Sequence, residues 1–416
     1  MILNKISHMK SQIIQHHDSP HQFEPLMPGG SVLGPLLERA SDLSVAAAKL
    51  GAEAGAGGRR ELRGLLRRMN SYYTNQIEGE HTRPSDIDRA LHNDFSSNQD
   101  MARKQRLAVA HIEAEIEAER LLKLGSWDDD TPLGLYTERA LAWMHRSLFV
   151  KLSAQDRTLQ DGSLLVPGEF RQVQVAVGRH EAPLARAVPD FVTRWCEVYG
   201  HVRRGEAALE AAAASHHRLA WVHPFADGNG RVARLHTHLA LASMGLTHGL
   251  WSPLRGFARS DVRYKALLQA ADEPRRGDLD GRGNLTQAGL VEWVSYVLEV
   301  CMDQVSFMSA QLRVADMKDR IYAALLFEEQ VKSGVRVQCL LPLHYLFATQ
   351  DAMSRADFKT MTGMGDRLAS GQISALLKRG FLETTSAYGP LQLAVPAHAL
   401  RFYFPALWPE AEADAA

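Results

Sequence analysis

The stretch His223-Pro-Phe-Ala-Asp-Gly-Asn-Gly-Arg-Val-Ala-Arg234 decides how this chain is read. Gly228-Asn229-Gly230 stands just before a helix-forming run over 230–244. The two glycines allow a tight turn that aims successive backbone N–H groups outward, and the helix N-terminus behind them adds its dipole, which makes an anion site. Arg231 and Arg234 fall in the first turn of that helix, where cations are disfavoured by roughly 0.3–1 kcal/mol each. A bound phosphate chain reverses the sign of that effect, and the i, i+3 spacing puts both guanidinium groups on one side. Asp227 is placed to hold Mg2+, which takes one or two carboxylates and completes its shell with phosphate oxygens and water. His223 has an ordinary pKa of about 6.5, suited to taking a proton from a hydroxyl. Pro224 pushes His223 out of helical geometry, and Phe225 serves as an apolar anchor. Each residue alone is an ordinary surface or helix-end feature. In this order they assemble a base beside a phosphate cradle.

Competing patterns are weaker. Gly228-x-Gly230-x-x-Ala233 matches a dinucleotide fingerprint in form, but no strand precedes it. His216, His217, His223, His236 and His238 suggest a metal cluster, yet His236 and His238 stand two apart and cannot share a helix face.

The chain has 416 residues, enough for two or three domains, and a net charge of −1 from 47 Lys+Arg and 48 Asp+Glu, so there is no overall bias toward nucleic acid or anionic membrane. Cys196, Cys301 and Cys339 are widely spaced, which excludes a disulfide framework or zinc ribbon and fits a reducing compartment. No apolar run approaches the roughly 20 residues of a membrane span. The N-terminus lacks the pattern of a signal peptide, so a cytoplasmic protein without membrane contact is expected.

Helical periodicity dominates. Helices are expected over 31–50, 59–77, 101–124, 133–150, 187–202, 206–222, 230–244, 260–271 and a long stretch from 287 toward 330, with a small-residue loop over 51–58. In the second of these, Leu62, Leu65, Leu66, Met69, Tyr73 and Ile77 form the apolar stripe. Alternation over Gln172, Val173, Gln174, Val175, Ala176 and Val177, ending at Gly178, predicts a short strand or hairpin whose edge can accept an extended peptide. Two short helices over 354–361 and 366–379, then a β-ribbon over 381–395, suggest helix-turn-helix and wing. From 351 to 409 six Lys/Arg face four Asp/Glu, a thin footprint for DNA, so a protein partner is preferred over DNA for this module. The expected organisation is a polar disordered tail over 1–30, an N-terminal helical region over 31–100, a core over 101–311 and a winged-helix-like α+β domain over 312–416.

The sequence His-Pro-Phe-x-Asp-Gly-Asn-Gly-Arg-x-x-Arg is the signature of Fic-domain (Fido) proteins, and residues 223–234 resemble it at every defining position. Pro167-Gly168-Glu-Phe-Arg171 with the following Val173 to Gly178 is similar to that family's stretch leading into its flap hairpin, and Gly277-Asp-Leu-Asp-Gly-Arg-Gly-Asn284 to the downstream part of one bacterial subfamily. The resemblance implies a mainly α, Fic-type helical bundle with one β-hairpin flap. It implies a nucleotidyltransferase that moves AMP from ATP to a Ser, Thr or Tyr hydroxyl of a target protein or of itself (AMPylation), with Mg2+. It carries to His223 the role of general base, to Asp227 the metal, to Gly228, Asn229 and Gly230 the phosphate cradle, to Arg231 the leaving diphosphate and to Arg234 the γ-phosphate. The flap residues Val173 to Val177 would hold the target by β-pairing, and self-association as a homodimer is a further expectation. Other readings retained are a transferase using another nucleotide donor, with Tyr264 a candidate base contact, and a DNA-binding regulator with a Fic-type core.

Thr74-Asn-Gln-Ile-Glu78-Gly79 resembles the family's inhibitory motif, here N-terminal to the core. Thr74 and Glu78 share a helix face, and Glu78 meets an opposing dipole at the helix C-terminus that a cation would relieve. The resemblance implies that Glu78 pairs with Arg234 and restrains the enzyme, and it leaves open that the same glutamate supports removal of AMP.

Overall fold

The computed structural model describes residues 17–407 except 129, 130, 160, 179, 203, 204, 350 and 351. The architecture is almost wholly helical. Helices α1 (Leu33–Glu53), α2 (Ala56–Ile77), α3 (Pro84–Leu91) and α4 (Gln99–Leu124) lead to α5 (Glu138–Phe149). A hairpin of β1 (Ala176–Val177) and β2 (His180–Glu181) follows, then α6 (Val188–His201), α7 (Glu206–Val222) and α8 (Asn229–Ser243). Next come α9 (Leu254–Arg259), α10 (Asp261–Asp272), α11 (Gln287–Gln311), α12 (Val314–Gln330) and α13 (Leu340–Ala348). The chain closes with α14 (Arg355–Thr362), α15 (Asp366–Arg379), β3 (Leu382–Glu383), β4 (Gln392–Leu393) and α16 (Leu400–Tyr403). No helix among the described residues is long and apolar enough to cross a membrane.

Local chemistry sets the boundaries. The Asn98 side chain accepts from Met101 N at the start of α4, Thr137 from Ala140 N at α5 and Thr286 from Gly289 N at α11. Gly125 and Gly380 close α4 and α15 in the left-handed conformation. Pro84 opens α3, where its missing N–H is no loss. Helix α7 is the hub: residues 208–219 are buried on every side, and its alanine run lets α1, α6, α8 and α11 approach closely. Trp195 Nε1 donates to Ser215 O at 3.0 Å and Trp293 Nε1 to Ala213 O at 2.7 Å, so the neighbouring helices clamp the hub by their indoles.

Several expectations are corrected. The loop over 51–58 shrinks to Ala54 and Gly55, because α1 continues to Glu53 and α2 begins at Ala56. The long helix from 287 breaks at Leu312 and Arg313 into α11 and α12. Residues 1–16 of the expected tail lie outside the described residues, but 17–30 are part of the core structure. Phe23 is fully buried against Phe191 and Trp221, with ring centroids 5.2 and 5.8 Å away. The buried Arg218 donates to Pro25 O at 3.0 and 2.8 Å, and Tyr199 Oη donates to Leu26 O at 2.6 Å. A polar-looking segment is thus held by one aromatic ring and two captured carbonyls.

In the C-terminal part, α14 and α15 meet through a turn at Gly363, and Leu382↔Leu393 and Glu383↔Gln392 pair antiparallel in the β3–β4 ribbon. This part sits on α2. A Cβ at Gly55 would lie 2.4 Å from Phe347 O and one at Gly58 would lie 2.8 Å from Phe347 Cε2, so both contacts require glycine. Arg60 donates to Leu393 O and stands 3.3 Å from Glu383, while Val395 N donates to Glu61 Oε2 at 2.9 Å.

Replacing Phe23 with alanine removes a fully buried ring and is expected to lower unfolding free energy by about 3–5 kcal/mol in a denaturant titration. A loss below about 1 kcal/mol would mean that the 17–30 segment is not fastened as described.

Candidate active site

The site begins where α7 ends. His223 adopts φ 51° and ψ 60°, its N–H still bonded to Leu219 O, and Pro224 prevents another helical turn. Gly228 takes φ 79°, and α8 starts at Asn229. A Cβ at Gly228 would lie 2.4 Å from Phe149 Cε2, so glycine is required there by both conformation and space. Both ends of the Asn229 carboxamide bond to the backbone of Phe225, at 2.8 Å each. The side chain expected to face phosphate is therefore the internal brace of the loop. Gly228 N donates to Asp227 Oδ1 at 2.6 Å, and Asp227 itself is exposed.

Phe225 is fully buried and stacks on His145, with centroids 4.0 Å apart and planes 1° from parallel. Gly168 N donates to His145 Nδ1 at 2.8 Å, so that nitrogen is unprotonated and Nε2–H points at Asp227 O, 3.2 Å away. Burial pushes the imidazole pKa down to about 4. His145 thus ties α5, the Gly168 turn and the catalytic-loop backbone together as a neutral ring. No motif marks it, because both polar partners are backbone atoms.

Arg171 is the second organiser. Its guanidinium donates to His223 O at 2.8 Å, Val173 O at 2.9 Å and Pro183 O at 2.6 Å. Its backbone N–H donates to Pro224 O at 2.9 Å, and burial lowers its pKa to about 10. This arginine shortens the flap. Val173 O is taken by Arg171, and Gln174 Nε2 reaches Ala182 O at 2.6 Å in place of a ladder bond. Only Ala176↔Glu181 and Val177↔His180 pair, so the expected strand over 172–177 is two residues long. Beside it lies an open groove of about 640 Å3 that has Val173, Gln174, Val175, Phe149 and Asp227 on its walls.

His223 is half-buried. Its Nδ1 lies 3.2 Å from Ala220 O, a pure acceptor, so Nδ1 carries the proton and Nε2 keeps a free lone pair. Burial first, then Arg171 and His180, lower its pKa to about 4 against the opposing effects of Ala220 O and Glu78.

Both arginines of α8 are buried, Arg231 at 5% and Arg234 at 1% exposure, and their partners come from α2. Arg234 donates to the Glu78 carboxylate, to Thr74 Oγ1 at 2.8 Å and to Thr74 O at 3.1 Å. Arg231 Nε donates to Asn75 Oδ1 at 3.0 Å. Burial acts to raise the Glu78 pKa, but Arg234, Arg231 and Lys265 outweigh it and hold the carboxyl below its usual value. Glu78 Oε1 lies 2.4 Å from where a Cβ of Gly230 would stand, directly over the N-terminal turn of α8. Gly79 follows at φ 78°.

Tyr264 is corrected as a base contact. It is 3% exposed and its hydroxyl lies 2.9 Å from His216 Nε2 and against Arg234. Thr237 Oγ1 donates to Ala233 O, so His216 Nδ1–H donates to Thr237 and Tyr264 O–H donates to His216 Nε2. The Tyr264 oxygen is then left to accept from Arg234, which places a neutral polar chain behind that guanidinium. His236 bonds to Leu135 O at 3.2 Å and His217 to Leu268 O at 3.0 Å.

With this geometry in hand, the chain can be set beside known proteins. Residues 135–241 match the Fic/DOC family. That segment, α5 to α8 with the flap, holds every residue of the 223–234 loop, and the domain is therefore of Fic/DOC type. A curated relative, protein adenylyltransferase Fic of Culex quinquefasciatus, is 35% identical over 110 residues, which is 26% of this chain and 20% of that one. Protein adenylyltransferase fic-1 of Caenorhabditis elegans is 34% identical over 99 residues, 23% of this chain and 19% of that one. The chain thus spans about a fifth of the length of these relatives. A crystal structure of a Fic family protein from Desulfovibrio desulfuricans G20 shares the fold at a TM-score of 0.51 and 17% identity, over 90% of this chain and 99% of that one.

Two outcomes are expected. Gly228→Ala should cost about 1–3 kcal/mol more in chemical denaturation than Gly79→Ala, because both carry the backbone strain but only position 228 also meets a ring. Equal losses would remove the steric argument. On acidification, His145, His223, His236 and His238 keep folded pKa values of about 4 while the unfolded chain protonates near 6.5. Their contribution to stability is complete above the unfolded value and is lost as pH falls from about 6.5 toward 4. Calorimetry should show the unfolding midpoint dropping steeply across that window, and a flat profile would count against buried neutral imidazoles.

Proposed function

We propose that this chain is a protein adenylyltransferase of Fic type held in a restrained state by Glu78. The observation that carries the reading is the position of the Glu78 carboxylate. It lies on Arg234 over the N-terminus of α8, where the helix dipole, Arg231 and Arg234 all favour an anion. An intramolecular carboxylate there competes with the terminal phosphate of a nucleoside triphosphate.

In the active form, the α8 N-terminus and the backbone of Gly228 and Gly230 hold the phosphates, Arg231 neutralises the leaving diphosphate and Arg234 takes the γ-phosphate. Asp227 fits Mg2+ as a single exposed carboxylate, since among the described residues no group of three or more acidic, His or Cys side chains could hold a metal by itself and phosphate oxygens must complete the shell. Bound there, the ion would supply further charge neutralisation. The target hydroxyl oxygen bonds to the α-phosphorus, the bond to the bridging oxygen breaks, pyrophosphate leaves and the proton passes to His223 Nε2. Bound triphosphate charge raises the pKa of that imidazole from its depressed value, which strengthens the base when substrate is present. The groove beside Val173 to Val177 receives the target segment.

The relatives are named adenylyltransferases, which supports ATP as the donor, and removal of AMP assisted by Glu78 belongs to the same proposal. For the C-terminal module a protein contact is the preferred reading: Arg379 is paired with Glu328 at 2.6 Å and Lys359 with Asp366 at 2.9 Å, which neutralises two of the six cations over 351–409.

Incubation with labelled ATP and Mg2+ should give at least about tenfold more auto-labelling for Glu78→Gly than for the unaltered chain, with His223→Ala abolishing it. Equal labelling of two folded proteins would remove the restraint. Because kcat/KM reports the free enzyme, whose imidazole is held neutral down to about 4, kcat/KM of Glu78→Gly should show no inflection at pH 6.5, and a halving near 6.5 would contradict the His223 environment.

A further inference from the structure

A cavity of about 290 Å3 lies beyond the catalytic loop, between α2, α4, α8 and the 245–251 loop. From α2 it takes Arg63, Leu66 and Asn70, residues that share one helix face. From α8 it takes His238, one turn beyond Arg234. Helix α4 runs antiparallel to α2 here, because Asn70 meets Glu115 while Arg67 meets Glu119. The cavity therefore has an inner end at Asn70, Glu115 and His238 and an outer end at Arg63 and Lys123. At 1.5 Å per residue, those ends stand roughly 10 Å apart, with Leu66 and Leu122 between them.

The inner end is polar, buried and unsatisfied. Glu115 is fully buried and His238 is 8% exposed, and Glu115 Oε2 and His238 Nδ1 have no hydrogen-bond partner among the described residues. Asn70 Nδ2 donates to Glu115 Oε1 at 2.8 Å, and burial raises the carboxyl pKa well above its usual range. With Oε1 accepting, the acid's proton sits on Oε2 and makes it a donor. The outer end is cationic. Arg67 is neutralised by a forked bond to Glu119 at 3.1 and 2.7 Å, whereas Arg63 stands 3.9 Å from that carboxylate with its buried Nε unpartnered. Lys123 has no partner among the described residues, and Arg59 donates through Nη2 to the neutral carbonyls of Gly51 and Ala54 while its buried Nε is unpartnered. Cations at Arg59, Arg63 and Lys123 with no carboxylate at hydrogen-bonding distance, a neutral donor on Glu115 inside and aliphatic walls between describe a receptor of definite polarity.

We propose that this cavity binds a small phosphomonoester whose organic part ends in a hydrogen-bond acceptor. The phosphate meets Arg63 and Lys123, the body lies against Leu66 and Leu122, and the acceptor receives a hydrogen bond from Glu115 Oε2–H. No bond is made or broken. The site is separate from the 223–234 loop, and its test does not depend on adenylyl transfer.

Calorimetric titration of the full chain at constant ionic strength tests it with three probes: 4-nitrophenyl phosphate, phenyl phosphate and inorganic phosphate. The expected affinity order is nitrophenyl over phenyl over inorganic phosphate, with each step at least about threefold. Lys123→Ala, an exposed change, should weaken all three at least about fivefold. Glu115→Gln, which keeps a neutral donor, should preserve the nitrophenyl preference, and Glu115→Leu should abolish it. His223→Ala should change none of these values. No binding, equal binding of the three probes, or affinities untouched by Lys123→Ala would each overturn the assignment.

Discussion

A guanidinium with almost no access to water sets the terms for the centre of this molecule. Arg234 stands in the first turn of α8, at the positive end of a helix dipole, 1% exposed. A charge in that place needs an anion beside it, since isolation would be far more costly than any other arrangement nearby. Here the anion is Glu78, so α2 is held to α8 by the needs of a buried charge. Thr74 and the Tyr264 oxygen, backed by His216 and Thr237, satisfy the donors left over. The Glu78 carboxylate is this structure's answer to that electrostatic demand.

Around that centre, precision comes from side chains bonded to backbone carbonyls and amides. Arg171 gathers carbonyls from the end of α7 and both sides of the flap, Arg218 captures the segment before α1, and neutral His145 joins a turn to the loop. Each acts as a fastener between segments distant in sequence. Their partners carry no residue identity, which is why such contacts leave no motif.

Much of the architecture was legible in the amino-acid order. Helix α7 has the bounds expected of it, and the 223–234 loop was readable because its glycines, proline and arginines each state a backbone or charge requirement. The Glu78 carboxylate at an unfavourable helix end called for a cationic partner, and the family resemblance named that partner as Arg234. What escaped was governed by tertiary context. The short helices α3, α9 and α13 carry too few turns for periodicity. The 17–30 segment looked like a tail because Phe23, Leu26 and Met27 are its only large apolar side chains. The flap strand shortened because Arg171 draws Val173 O out of the ladder, and Asn229 turned inward because Phe225 backbone offered both of its partners.

Helix α2 has 22 residues, a rod of roughly 33 Å. One end is gripped at Gly55 and Gly58 by α13 and at Arg60 and Glu61 by the β-ribbon, while the other presents Thr74, Asn75 and Glu78 to the catalytic loop. Helices bend gently but do not telescope, and the glycine contacts leave no slack for sliding. A shift of the C-terminal part along that axis must therefore arrive at Arg234 nearly undiminished, as in a pushrod.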